Sequence, residues 1–259
     1  MKQLFMEERR ALILELLNEQ GRVSVSDLSE KLEVSAVTIR QDLTALEAEN
    51  FLKRTHGGAV KTEQLIIGDT LELSFDLRRN QQSDEKIALG KAAAQLIESG
   101  SAIALDASTT VCSIIPALSD IDSLTIVTNN LMVTESLLNM SRIEALLPAG
   151  KLRRDAYSIV GDPDSLPQIN LSIGFVSAWG IERDAGLTEV NEDEMMMKRA
   201  LLSRCIQKVL LVDSTKWGQV AAYTYANHLE MDTIITTNRV SDEQLSQINH
   251  PDIRVISPT

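Results

Sequence analysis

Cysteine, histidine and aromatic side chains are scarce in this chain of 259 residues: it has two Cys and three His, and Phe, Trp and Tyr together make up 3%. Cys112 and Cys205 stand far apart, in segments that read as helical, with no CxxC or histidine spacing. That excludes a disulfide framework and a zinc site, and leaves both as reduced packing residues. No metal and no cofactor are expected. No apolar run approaches the roughly 18 residues that a membrane span needs, and MKQLFMEERRA does not resemble a cleavable signal, so a cytoplasmic protein that does not engage a membrane is expected. Positive charge is also in deficit. With 25 Lys+Arg against 37 Asp+Glu the formal net charge is −12, which argues against a general nucleic-acid coat. The deficit is uneven. Up to Thr62 nine basic residues face ten acidic ones, whereas the remainder has sixteen against twenty-seven. A near-neutral head precedes an acidic body, so any contact with DNA is confined to the head.

The head is what the rest of the chain is organised around. Leu28 and Leu32 lie four apart, and Ile39, Leu43 and Leu46 fall at i, i+4 and i+7, so two helices each present an apolar stripe to one small core. Between them Ser35 is placed to cap the second helix by accepting a backbone N–H. This spacing predicts a helix-turn-helix. The outer side of its second helix begins Ser35, Ala36, Thr38, Arg40, Gln41, short or hydrogen-bonding residues at the end where such a helix meets base edges. It then turns acidic with Asp42, Glu47 and Glu49. FLKRTHGGAVK follows, an alternating strand broken at Gly57-Gly58 and then a return, which predicts a β-hairpin wing. Lys53, Arg54, His56 and Lys61 give it positive charge suited to phosphates, or Arg54 to a minor groove. Ahead of these elements, a helix over about Met6 to Glu19 sets Leu12, Ile13, Leu16 and Leu17 on one face, leaves Glu7 to Arg10 as a solvated turn, and stops at Gly21.

Together, GRVSVSDLSEKLEVSAVTIRQDLTALE and LKRTHGGA resemble the DeoR family of bacterial transcriptional regulators, above all in the Val-Ser-x-x-Thr-Ile-Arg-x-Asp-Leu core. The resemblance implies that Ser35, Thr38, Arg40 and Gln41 contact double-stranded operator DNA and that Arg54, His56, Gly57 and Gly58 form the wing. Gln41 stands where the family usually has a basic residue.

Residues 1–62 are thus read as a winged helix-turn-helix domain, 63–84 as a polar, irregular linker, and 85–259 as a larger α/β domain. In the linker Leu71, Leu73, Phe75 and Leu77 alternate, as in a strand or extended arm. From Lys86 helical and strand patterns alternate: strands are expected at 102–105, 124–127, 145–147, 173–176, 209–212, 233–235 and 253–256, the signature of βαβ units on a parallel sheet. Ligands of open α/β sheets gather at the carboxyl ends of strands. There the chain places Asp106-Ala107-Ser108-Thr109-Thr110, then Thr128-Asn129-Asn130, then Gly150-Lys151-Leu152-Arg153-Arg154, and later Asp213-Ser214-Thr215-Lys216. Hydroxyls, amides and cations so gathered suit an anionic group such as phosphate. The run Met195-Met196-Met197 follows acids that favour a helix N-terminus, and plain packing is its expected role.

These strand-end positions extend the resemblance to nearly the whole chain. The effector domain of the DeoR family resembles the ribose-5-phosphate isomerase/CoA-transferase-like fold and is thought to sense phosphorylated sugars. Asp106 to Thr110, Thr128 with Asn129, Gly150 to Arg153, Lys198 with Arg199, and Asp213 to Lys216 match its motifs. The resemblance implies that Ser108, Thr109 and Thr110 grip phosphate, that Arg153 or Lys216 neutralises it, and that Asp106, Asn129 and Asp213 read hydroxyls. Ala149 replaces a usual second glycine and Trp179 a common Asp before Gly180, which leaves open an effector other than a typical sugar phosphate. Two function classes remain. One is a ligand-released repressor of a sugar catabolic operon, acting as a homo-oligomer, dimer or tetramer, on repeated half-sites. The other is a sugar-phosphate isomerase with an accessory head, which would need a positioned base among Asp106, Glu192 and Asp213.

Overall fold

The computed structural model describes residues 6–48, 51–55, 57–61 and 75–258. The chain divides into two compact units between Gln82 and Ser83.

In the first unit α1 (Met6–Gln20) buries Ile13, Leu16 and Leu17 and ends at Gly21, whose φ of +70° is the left-handed conformation that closes a helix. The N–H of Gly21 donates to the carbonyl of Leu17 at 2.8 Å. After β1 (Arg22–Ser24), α2 (Val25–Lys31) is capped by Ser24, and α3 (Ala36–Ala48) by Ser35, whose Oγ accepts the Thr38 N–H at 3.1 Å. Ile39, Leu43 and Leu46 are fully buried against Leu28 and Leu17, as their spacing predicts. The wing is β2 (Leu52–Thr55) paired antiparallel with β3 (Gly58–Lys61), and β1 adds a third strand on the far side of β3. Gly58 is required by that third strand: a Cβ there would lie 1.8 Å from the Val23 carbonyl oxygen.

Two expectations are corrected here. Asp42 does not join a solvated acidic end of α3. It is 2% exposed and accepts from Arg9 Nε at 2.5 Å and from Arg10 Nε at 3.3 Å, so Arg9 and Arg10 are not a solvated turn but tie α1 to α3. Within the expected linker, Phe75–Asn80 forms a helix, α4, packed on α1 with Phe75 fully buried, so this part is neither strand nor extended arm. Leu71 and Leu73 lie outside the described residues, as does His56.

The second unit opens with α5 (Ser83–Ala94) and is built on a seven-stranded, wholly parallel sheet. Its strands are β4 (Ala102–Leu105), β5 (Leu124–Thr128), β6 (Ile143–Leu146), β9 (Leu171–Val176), β12 (Cys205–Leu211), β14 (Thr233–Thr237) and β15 (Ile253–Ile256), in the order β15-β14-β12-β9-β4-β5-β6. Short helices α6 (Thr109–Cys112), α7 (Leu131–Leu137) and α9 (Asp242–Gln247) connect them. Alternate strand residues enter two cores. Ile103, Leu105, Phe175, Val209 and Leu211 pack with Leu89 and Ala93 of α5, while Ala104 and Val127 pack with Met197 and Leu201 of α8 (Glu192–Leu202). The helices α5 and α8 therefore cover opposite faces. A hairpin of β7 (Lys151–Arg153) and β8 (Ser158–Val160) and a small sheet of β10 (Gly180–Glu182), β11 (Gly186–Glu189) and β13 (Tyr223–Ala226) complete the unit. Cys205 begins a strand rather than sitting in a helix. Met197 is fully buried and Met196 lies at the surface, the division expected of plain packing.

Sheet order runs outward in both directions from the β4/β9 pair, which makes that pair the topological switch point, where the crevice of such a sheet opens.

Candidate functional site

On the first unit the exposed residues among the described side chains of α3 are Val37, Arg40, Gln41 and Thr44, at i, i+3, i+4 and i+7, so one stripe of the helix faces outward. Arg40 and Gln41 occupy it as expected. Ser35 and Thr38 do not project in the same way: Ser35 Oγ caps the helix and lies 2.9 Å from Thr38 Oγ1, so each hydroxyl already has a partner. On the wing Lys53 is exposed and Gly57 marks the open tip. Arg54 departs from the expected outward arm. Its Nη1 donates to Thr44 Oγ1 at 2.8 Å and its backbone N–H to Glu47 Oε1 at 2.8 Å, which lays the guanidinium along α3.

At the switch point Asp106, directly after β4, is fully buried. Its Oδ1 accepts the Ser108 N–H at 2.9 Å and its Oδ2 accepts the Ser177 N–H from beyond β9, also at 2.9 Å. Lys198 of α8 sits against it, 3.1 Å from Asp106 Oδ2, and donates to Glu189 Oε2 and to the Ser177 carbonyl, both at 2.7 Å. Two ammonium protons are thereby placed in hydrogen bonds, and the charge is paired with Asp106 as well. Burial opposes the charge of Lys198, but Asp106 and Glu189 outweigh it and hold the ammonium above the ordinary lysine range. The Lys198 Nζ lies 5.4 Å from the Tyr225 ring centre, and the Tyr225 hydroxyl also donates to the Ser177 carbonyl. The chemistry of Lys198 and Asp106 is thus that of an internal electrostatic clasp, in contrast to the expected direct hold on an effector.

Beside the clasp, Glu194 in the first turn of α8 is 4% exposed and accepts from Ser158 Oγ and, at 3.4 Å, from Asn129 Nδ2. Burial is the largest influence on its carboxyl and, with Glu189 adding to it, outweighs Ser158, Arg153 and Lys198 and pushes it up to about 7. Arg153 from β7 joins the group, 2.9 Å from Asp155 and 3.7 Å from Glu194. Asn129 also donates to the Ile159 carbonyl, while its Oδ1 is buried without a hydrogen-bond partner. An acceptor so placed would take a hydroxyl.

The expected phosphate cradle is more closed than the sequence implies. Ser108 Oγ is occupied in capping α6 through the Val111 N–H, and Thr109 and Thr110 are buried. Gly150 lets the chain pass close to β8, since a Cβ there would meet the Val160 carbonyl oxygen at 2.4 Å. Lys151 is exposed and 2.8 Å from Asp193. Trp179 is half-exposed, with its backbone N–H on the Thr188 carbonyl. Asp213 and Lys216 belong to a second group, on the α5 side. Burial raises the Asp213 carboxyl, but Lys216, Lys86 and the hydrogen bonds from Thr215 more than offset it and hold it below the usual range. Next to them Glu85, fully buried, accepts from Ser214 N–H at 3.0 Å, Ser214 Oγ at 2.8 Å and Thr237 Oγ1.

Sequence reasoning missed Glu194, Glu189, Ser177, Tyr225, Glu85 and Lys86. Glu194 lay inside an acidic run that a helix dipole already explains, and Glu85 fell at the first position of the expected α/β domain, ahead of its first apolar run. No helix of the described residues is long and apolar enough to cross a membrane, and no group of three or more His, Cys, Asp or Glu among them could hold a metal ion.

Comparison with known proteins places both units. Residues 9–64 match the DeoR-like helix-turn-helix domain and residues 81–238 the DeoR C terminal sensor domain. The uncharacterized regulator YgbI of Escherichia coli is 33% identical, over 96% of each chain. The regulator GolR of Listeria innocua is 32% identical over 92% of this chain and 93% of its own. The glycerol-3-phosphate regulon repressor of Escherichia coli is 32% identical over 88% of this chain and 90% of its own. With both units matched and relatives aligned along most of its length, the chain belongs to the DeoR family of helix-turn-helix transcriptional regulators.

Proposed function

We propose that the chain represses a sugar or carbohydrate catabolic operon, binding its operator through α3 and the β2–β3 wing and releasing it when a phosphorylated sugar or related metabolite occupies the strand ends of the sensor unit. The outward stripe of α3 beside a wing that carries Lys53 and Arg54 is the observation on which this reading rests. The relative named as the glycerol-3-phosphate regulon repressor supports the effector class, and it and GlcR of Bacillus subtilis, named a repressor, support the sign of regulation. Asn129, Glu194 and Arg153 are its assigned hydroxyl and anion contacts, with Ser108, Lys151 and Trp179 at the rim, and two copies at least present paired heads to repeated half-sites. Coupling of about 1–3 kcal/mol, five- to 150-fold in operator affinity, is enough for such release. An isomerase reading finds less support, because Asp106 is engaged by two N–H donors and Lys198, and Lys216 and Lys86 hold Asp213 below the usual carboxylate range, which makes it a weak base.

Two measurements test the proposal. A thermal-shift screen against sugar phosphates and their unphosphorylated parents should find stabilisation by phosphorylated compounds, because a ligand of the native state must stabilise it. The same compound should then lower operator affinity in fluorescence anisotropy; a chain that binds operator equally with and without it is not released by that ligand. Arg40→Ala should weaken operator binding roughly tenfold and, if its contact is a phosphate, lower the salt slope by about one, while leaving the thermal shift intact.

A further inference from the structure

In the first unit two large apolar side chains stand at the described surface, Met6 and Val37, and Val37 is 61% exposed in the first turn of α3. Its methyls therefore face water in the free protein. The core of the unit is filled by Ile39, Leu43 and Leu46 on the opposite side of the same helix, each fully buried. Val37 and Gln41 are spaced i and i+4, so they stand one above the other on the outward stripe, about 6 Å apart along the axis. That rise is about two base-pair steps of DNA.

The neighbours narrow what this stripe can read. The hydroxyls of Ser35 and Thr38 are paired with each other and with the helix end. Thr44 donates to the Arg40 carbonyl at 2.7 Å and accepts from Arg54. What remains open are the two methyls of Val37, the amide of Gln41 and the guanidinium of Arg40, beside the one hydroxyl proton that the Ser35–Thr38 pair leaves unused. Valine cannot hydrogen-bond, and its branched side chain is held in one rotamer in a helix, so it offers a stiff apolar surface. In the major groove the apolar feature it can match is the C5-methyl of thymine, while a glutamine amide matches N6 and N7 of adenine.

We infer that Val37 and Gln41 read A·T pairs one or two steps apart in each operator half-site, Val37 packing on a thymine methyl and Gln41 pairing with an adenine edge. This rests on the operator-binding reading above. Arg40, between them on the stripe, then serves a phosphate or a guanine and adds affinity rather than A·T preference.

The experiment begins with selection of bound duplexes from a random pool by the full chain. Single thymines of the selected site are then replaced by deoxyuridine, which removes only the methyl, and single adenines by 7-deazaadenine, which removes only N7. One thymine in each half-site should, on losing its methyl, weaken wild-type binding about threefold to tenfold, as expected for one apolar group returned to water. Val37→Ser, whose exposed position leaves the fold and melting temperature intact, should bind the thymine and uracil duplexes alike. An adenine within two steps should show about a tenfold loss on 7-deaza substitution, and Gln41→Leu should abolish that difference. If the pool yields a site but every uracil duplex binds as tightly as its parent, or Val37→Ser still distinguishes them, the inference falls and the operator-binding reading stands. If no sequence is enriched over bulk DNA, both fall.

Discussion

Lys198→Met should lower the melting temperature of the sensor unit by about 10 °C, one of the largest losses available from a single side chain. The methionine, one atom shorter, keeps nearly the volume of the lysine but strands Asp106 and Glu189, 0% and 7% exposed, with no cation between them. Breaking a buried ion pair from one side costs about 3–5 kcal/mol, because the remaining charge is left unpaired in a poorly solvating interior. In a unit of this size each kcal/mol moves the transition by about 2–4 °C. The lysine contribution is present below the ordinary lysine pKa and is lost only as pH rises through its raised folded value, so it does not vary across neutral pH. Adding Glu189→Gln to Lys198→Met should recover part of the loss, since one stranded charge is removed. If the double variant melts no higher than the single one, the loss is one of packing and not of charge. Because the Ser177 carbonyl accepts from both this ammonium and the Tyr225 hydroxyl, the loosening should reach β9 and β13 as well.

That the helix-turn-helix was legible and the clasp was not follows from where each interaction lives in the chain. Leu28, Ile39, Leu43 and Leu46 meet through helical spacing, a local regularity that survives in the sequence and is borne out by their burial. The parallel sheet was legible for a similar reason: each strand is an apolar run bounded by polar turns, and the runs expected at 102–105, 124–127 and 173–176 all lie within strands. Asp42 with Arg9 is different. The partners are 33 residues apart, and the charge of Asp42 on an otherwise polar stretch looks the same whether it faces water or a guanidinium. Lys198 likewise matched a family motif, which marks a position but not its partners; only the fold brings Asp106, Glu189 and Ser177 round it. The alternation of Leu71, Leu73, Phe75 and Leu77 predicts a strand or extended arm, yet the six-residue helix Phe75–Asn80 docked on α1 buries Phe75 as fully as a strand would.

Glu194 gives the unit a pH dependence whose sign is fixed by its burial. Its carboxyl is pushed up to about 7 in the folded chain and returns to its ordinary 4.5 when unfolded. Between those values the folded state holds a proton that the unfolded state has lost, so stability falls as pH rises through that window and the full penalty applies above it. Each tenfold difference in proton affinity between the folded and unfolded chain is worth roughly 1.4 kcal/mol, so the penalty reaches about 3 kcal/mol. Glu194→Gln replaces the protonated carboxyl by a neutral group of the same shape. Its oxygen can still accept from Asn129 Nδ2, which keeps its bond to the Ile159 carbonyl, while its amide N–H turns to the Ser158 hydroxyl oxygen, which can accept as well as donate. The variant should therefore be more stable than the parent by about 2–3 kcal/mol at pH 8 and indistinguishable from it near pH 4.5, in urea unfolding followed across that range. A gap that is the same at pH 5 and pH 8 would show that the carboxyl is already ionised at the lower pH. The groups facing it are Glu189, which favours the proton, and Arg153 and Lys198, which oppose it. Arg153→Gln should accordingly move the transition to higher pH and widen the advantage of the glutamine at position 194, because the cation that helps ionise this carboxyl would be gone while its burial remained.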